Sequence, residues 1–160
     1  MLRALKATLA LSDPFDACVW AMAACAFWGM MHFGEVSVIT SNTFKGTTHV
    51  TQKDAFLGRD LNGKPYARLD LPSAKTACAG ETQSIFLTPQ DRRCPLNSLR
   101  NLTSVVPAGP DDPLFSWHDT RGAIWLMVKS KAMSHINAIL TAWGWGASFS
   151  HSFHIWCGTS

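Results

Sequence analysis

The sequence predicts a mainly α-helical domain with a small three-stranded antiparallel β-sheet, an α+β arrangement in which strands lie over helices. Three observations predict it. A capped apolar run extends from Ser12 to Met31, "SDPFDACVWAMAACAFWGMM". The stretch "YARLDL", Tyr66 to Leu71, alternates in polarity. Beyond Pro95, the residues Leu96, Leu99, Leu102, Val105 and Val106 recur at helical spacing.

Each element has a local reason. In the apolar run, Asp13 is placed to cap a helix, and Pro14 suits the first helical position. Asp16 falls in the first turn, where the helix dipole favours an anion. The run is apolar nearly all round, which predicts a helix central to the core. Gly34 marks its end or a bend soon after it. Three stretches then have strand character: "TTHVT" (Thr47 to Thr51), "YARLDL", and "TQSIFLT" (Thr82 to Thr88). In the second, Tyr66, Arg68 and Asp70 share one face, and Ala67, Leu69 and Leu71 the other. The turn "PSAKTACAG" joins the second stretch to the third. After the helix that follows Pro95, "PAGPDDP" predicts an exposed loop. "VKSKAMSHINAILTAWGW" sets Met133, Ile136, Ile139, Leu140 and Trp143 on one helical face and stops at Gly-Trp-Gly. A last short helix is expected from about Ser150.

Length and composition bound the function. The 160 residues suffice for one domain with a real core, expected over 1–160. Apolar residues make up 47% and charged residues 16%, too apolar for disorder and too charged for a membrane bundle. A net charge of +3 permits contact with nucleic acid without the footprint of a dedicated DNA clamp. Cys18, Cys25, Cys78, Cys94 and Cys157 are odd in number and form no C-x-x-C pair. This argues against a disulfide framework or zinc ribbon and fits a reducing, intracellular setting, nuclear or cytoplasmic. The longest apolar run, Ala17 to Met31, is shorter than the ~20 residues that span a bilayer, so no membrane partner is expected. The first residues, "MLRALKATLALS", carry basic but no acidic residues, which is compatible with a leader.

Three stretches together resemble a known family. "GMMHFGEV" resembles the first arginine box of the tyrosine recombinases, in which a glutamate follows the arginine three residues later. "LDLPSAKT" resembles the hairpin that carries their active-site lysine. "SHSFHIWCGTS" resembles their second box, a histidine followed three residues later by an arginine. With "DPFDACVWAMAACAFWGMM" and "AWGWG" included, the chain is similar to the DNA breaking-rejoining domain of fungal, Crypton-like mobile elements.

The resemblance implies a fold and a chemistry. The fold is a tyrosine-recombinase catalytic core, here C-terminally truncated, without the final helices and the separate N-terminal DNA-binding domain. In the family a tyrosine attacks a DNA phosphodiester to form a 3′-phosphotyrosyl link. Two arginines hold the non-bridging oxygens, and the lysine protonates the leaving 5′-oxygen. By this match Lys75 is the lysine, His151 the box histidine and Glu35 the carboxylate that braces the first arginine. His32 stands in the place of the first arginine and His154 in that of the second. A neutral histidine has one donor and no charge where arginine has a planar charged fork, and losing one such donor costs on the order of 100- to 1000-fold in rate. The single tyrosine, Tyr66, lies upstream of Lys75 and outside the nucleophile's place. The implied protein is a degenerate DNA integration and recombination enzyme, inactive alone, with DNA and another recombinase protomer as partners and no cofactor.

Other readings stand beside this one. The chain could be a non-catalytic remnant that docks a complete recombinase through apolar surface. His151, His154 and Cys157, at i, i+3 and i+6, could instead hold a metal, though a structural zinc needs a fourth ligand. His32 is either a partly buried histidine bonded to Glu35 or a backbone carbonyl, or a phosphate contact. Cys18 and Cys25 read as core. Trp143 and Trp145 either stack on bases or wedge a helix end into the core. Arg92, Arg93 and Arg100 form a basic cluster that is either solvated or set against a DNA backbone.

Overall fold

The computed structural model describes residues 2–29, 49–71, 83–90 and 94–144. In these residues the chain runs α1 (Leu2–Thr8), α2 (Pro14–Gly29), a 3-10 turn (Gln52–Asp54), β1 (Ala55–Arg59), β2 (Pro65–Leu71), β3 (Gln83–Leu87), α3 (Pro95–Val105), β4 (Ser116–His118), β5 (Ile124–Leu126) and α4 (Lys129–Ala142). The mixed α+β class is as the sequence predicts. A three-stranded antiparallel meander, β1-β2-β3, is joined by a separate two-stranded hairpin, β4-β5.

The central helix forms for the expected reasons. The Asp13 carboxylate accepts the Asp16 backbone N–H at 3.0 Å, and Pro14 opens α2. Every residue from Ala17 to Ala26 is buried, so α2 has no solvent face along these turns. It packs against α3, β4, β3 and α1. Its small side chains, Ala17, Cys18, Ala21, Ala24 and Cys25, make room for so many neighbours. Burial pushes the Cys18 thiol up and the Cys25 thiol up to about 12. Both are packing groups that stay protonated, as read from the sequence.

The sheet lies over this core. β2 pairs with β1 on one side (Phe56↔Arg68, Gly58↔Tyr66) and with β3 on the other (Arg68↔Phe86, Asp70↔Ser84). Ala67, Leu69 and Leu71 are buried, with Leu87 from β3 beside them. The opposite face of β2 presents Tyr66, Arg68 and Asp70, the alternation expected from a sheet with one covered side. The Asp60 carboxylate closes the β1–β2 turn by accepting the backbone N–H groups of Asn62 and Lys64, each at 2.9 Å.

One expected strand is corrected. Among its described residues, His49 to Thr51 form no strand, and the first strand of the sheet is Ala55–Arg59 instead. Thr51 has other bonds: its N–H and hydroxyl both donate to the Asp54 carboxylate at 2.9 Å, and it bridges Pro113. That capping interaction and the ties of Gln52 to the carbonyls of Pro113 and Leu114 turn the chain before it can pair. α1 is not among the expected elements; its Ala4 and Leu5, with Leu9 just beyond it, are buried.

The remaining helices follow their patterns. Leu96, Leu99 and Leu102 are buried on α3, which ends at the loop 107–113. Ala132, Ile136, Ile139 and Leu140 are buried on α4. Gly144, at φ +85°, ends that helix in the left-handed region that glycine enters without strain. Trp143 corrects the wedge reading. It is 52% exposed and its indole N–H donates to the Thr8 hydroxyl at 3.0 Å, tying α4 to α1 from outside. No described helix is long and apolar enough to cross a membrane.

Candidate functional site

The residues that carry the recombinase resemblance, His32, Glu35, Lys75, His151 and His154, lie outside the described residues, as do Cys157, Arg92, Arg93 and Trp145. β2 and β3 are antiparallel neighbours, and Lys75 falls between them in the sequence. Tyr66 lies ahead of it on β2, on the uncovered face of the sheet. Of the basic cluster, Arg100 is described and is exposed on α3.

Two surfaces in the described residues carry chemistry-bearing side chains. The first is a groove of about 580 Å³ between the start of α2 and the β4-β5 hairpin. It is lined by Asp13, Phe15, Trp117, His118 and Asp119, and its volume falls within the range of small-molecule sites. Its acids, however, are occupied. The Asp13 carboxylate caps α2. The Asp119 carboxylate accepts the Trp125 indole N–H at 3.0 Å and the backbone N–H groups of Arg121 and Ala123 at 2.9 and 3.1 Å. Nearby, the Asp16 carboxylate accepts the Ala10 backbone N–H and lies 3.0 Å from Nε2 of His135. The Phe15 ring meets His135 and Trp117 edge-on, both at 5.3 Å. These groups hold the hairpin and α4 against the start of α2. Each of the three carboxylates thus has a structural bond.

Asp119 gives this construction a titration signature. The Trp125 indole N–H, then the backbone N–H groups, hold its carboxyl below the ordinary carboxylate value. A depressed folded pKa means that the bonded form contributes fully above the unfolded value and is lost as pH falls through the folded one. The hairpin around Trp125 is therefore expected to loosen only in acid below the usual aspartate range. Trp125→Phe removes the leading donor and is expected to move the Asp119 midpoint upward, read by carboxyl-resolved NMR titration. An unchanged midpoint would show that the indole bond is not what holds it.

The second surface is the uncovered face of the meander. Phe56, Arg68 and Phe86 form one row across the three strands, with Tyr66 in the next row opposite Gly58. The Tyr66 ring stands 6.2 Å from each phenylalanine ring, and the Arg68 guanidinium lies 5.4 Å from the Phe56 ring centroid. Arg68 Nε is 3.2 Å from the Asp70 carboxylate, an ion pair whose angle is too poor for a hydrogen bond. The sequence puts Tyr66 and Arg68 on a common face but does not show the row, because the first strand lies later in the chain than the β-branched run Thr47 to Thr51 predicts. The available signal was "AFLGR", in which an aromatic residue and a glycine alternate before a turn.

Among the described residues no group of three histidine, cysteine or acidic side chains could hold a metal ion. No protein-family model, no curated protein and no solved structure matches the chain.

Proposed function

We propose that the chain is a degenerate tyrosine-recombinase-type protein of mobile-element origin that retains DNA-backbone binding without strand exchange of its own. One observation supports the reading most. β2 pairs antiparallel with β3, and the sequence between them holds "PSAKTACAG" with Lys75, an order like that of the hairpin on which the resembled family carries its lysine. In this role Lys75 supplies a cation to a phosphate and, in an active enzyme, the proton for the leaving oxygen. His32 and His154 in the arginine places remove the permanent charges that stabilise the pentavalent phosphorus. The single tyrosine sits on β2 rather than after the second box. Binding then persists while cleavage does not.

The test is a salt titration of the full chain with a fluorescently labelled duplex, read by anisotropy. The expected result is an affinity that falls steeply with salt, its log–log slope being about −0.9 per phosphate neutralised. Lys75→Ala is expected to make that slope shallower by about one phosphate contact. A folded protein with no duplex affinity at low salt would overturn the reading.

A further inference from the structure

We propose that the uncovered face of the β1-β2-β3 meander is a stacking platform for the unpaired bases of single-stranded DNA. The inference stands apart from the recombinase reading, which concerns Lys75 and duplex DNA, and rests on the sheet alone.

The first argument is the form of the surface. Phe86 is 62% exposed and Phe56 48%. They flank Arg68 in a single row, and the Tyr66 ring, in the next row, stands 6.2 Å from each. A sheet holds such rings at fixed spacing with little rotamer freedom. An aromatic row on strands therefore offers flat faces to successive bases, whereas an apolar core patch offers interlocking shapes. Gly58 sharpens this. A Cβ at that position would stand 2.6 Å from Cε1 of Phe56 and 3.3 Å from Cζ of Tyr66. The glycine is the notch that lets the Phe56 ring lie over position 58.

The second argument is charge. Arg68 stands in the row, and the exposed Lys64 precedes β2 two residues before Tyr66. Of the two acids nearby, one carboxylate oxygen each is engaged within the protein. Asp60 accepts the backbone N–H groups of its own turn. Asp70 accepts the Ser84 hydroxyl at 2.8 Å and faces Arg68. Arg68 is held by the Phe56 face on one side and Asp70 on the other, and its planar guanidinium can both stack on a base and meet a phosphate. Bases on the rings with their phosphates toward Arg68 and Lys64 complete the complementarity. The row is set to read ring faces, and the Ser84 hydroxyl beside it is already engaged. The commitment is accordingly to DNA, which has no 2′-hydroxyl to satisfy.

The experiment uses the full chain and labelled oligothymidine at low salt, read by anisotropy, with the labelled duplex and oligouridine in parallel. The wild type is expected to bind oligothymidine. Phe86→Ala and Phe56→Ala are each expected to weaken that binding roughly 5- to 150-fold and to leave duplex affinity unchanged, whereas Lys75→Ala does the reverse. Phe86→Trp, which keeps a stacking face, is expected to retain binding, which separates loss of stacking from loss of folding. No binding of oligothymidine by folded protein would overturn the proposal, as would equal affinity in Phe86→Ala and wild type, or a Phe86→Trp as weak as Phe86→Ala. Tighter binding of oligouridine would overturn the assignment to DNA. A wild-type dimer that Phe86→Ala converts to monomer would assign the face to a second copy of the chain instead.

Discussion

Replacing Leu69 with alanine is expected to lower the unfolding free energy by about 2–5 kcal/mol. Leu69 is fully buried at the centre of β2, opposite Ala55 on one neighbour and Ile85 on the other. Ala55 is small, and Ile85 packs only at the margin of the core. Neither can move inward, because both are pinned by the ladder bonds of their own strands. The cavity left by the missing carbons therefore stays largely open, which sets the cost above the transfer energy alone. A fall in Tm on the order of 10 °C would accompany it. Urea denaturation followed by tryptophan fluorescence measures the loss, and the m-value should stay at its wild-type level. A cost under about 1 kcal/mol would show that the inner face of β2 is not packed as described.

The opposite change on α2 should also destabilise. Ala21→Leu adds bulk to a residue with no exposed surface. Cys25, one turn further on, interacts with Ser98 and Cys94 at the start of α3. Residues four apart share a helix face, so Ala21 belongs to the side on which α2 and α3 approach. A leucine there must push the helices apart or take a strained rotamer, for about 1–3 kcal/mol. The same urea experiment reads it. Native stability in Ala21→Leu would mean that slack exists between the two helices.

What the sequence made legible follows where local chemistry and burial agree. Asp13, Pro14 and Asp16 announce the start of α2, and the run that follows is apolar because every side of it is covered. β2 was legible because one of its faces is buried and the other is not. β1 was not, because an edge strand with Phe56 and Leu57 both exposed shows no alternation to read. The β-branched run ending at Thr51 misled for the complementary reason: threonine's hydroxyl is as useful to a cap as its branching is to a strand. β4 and β5 were too short, at three residues each, for periodicity to register. Their signal was the turn between them, where Asp119 precedes Gly122 at φ +81°. Of the site, the sequence pointed to Tyr66 and Arg68 on a common face, but the row they form with Phe56 and Phe86 exists only through pairing across strands.

The bond from Trp143 to Thr8, with the Asp16–His135 pair beside it, joins the first two helices to the last described one. During synthesis α2 leaves the ribosome well before α3 and β4, the elements it packs against, exist to receive it. At 5–20 residues per second the interval is on the order of ten seconds. The meander, whose neighbours in space are neighbours in sequence, can close within that time, but a helix without a polar side cannot be left in water for so long. The wait makes α2 a natural client for holding chaperones, and it dates completion of the core to the arrival of α4 rather than to any earlier event in translation.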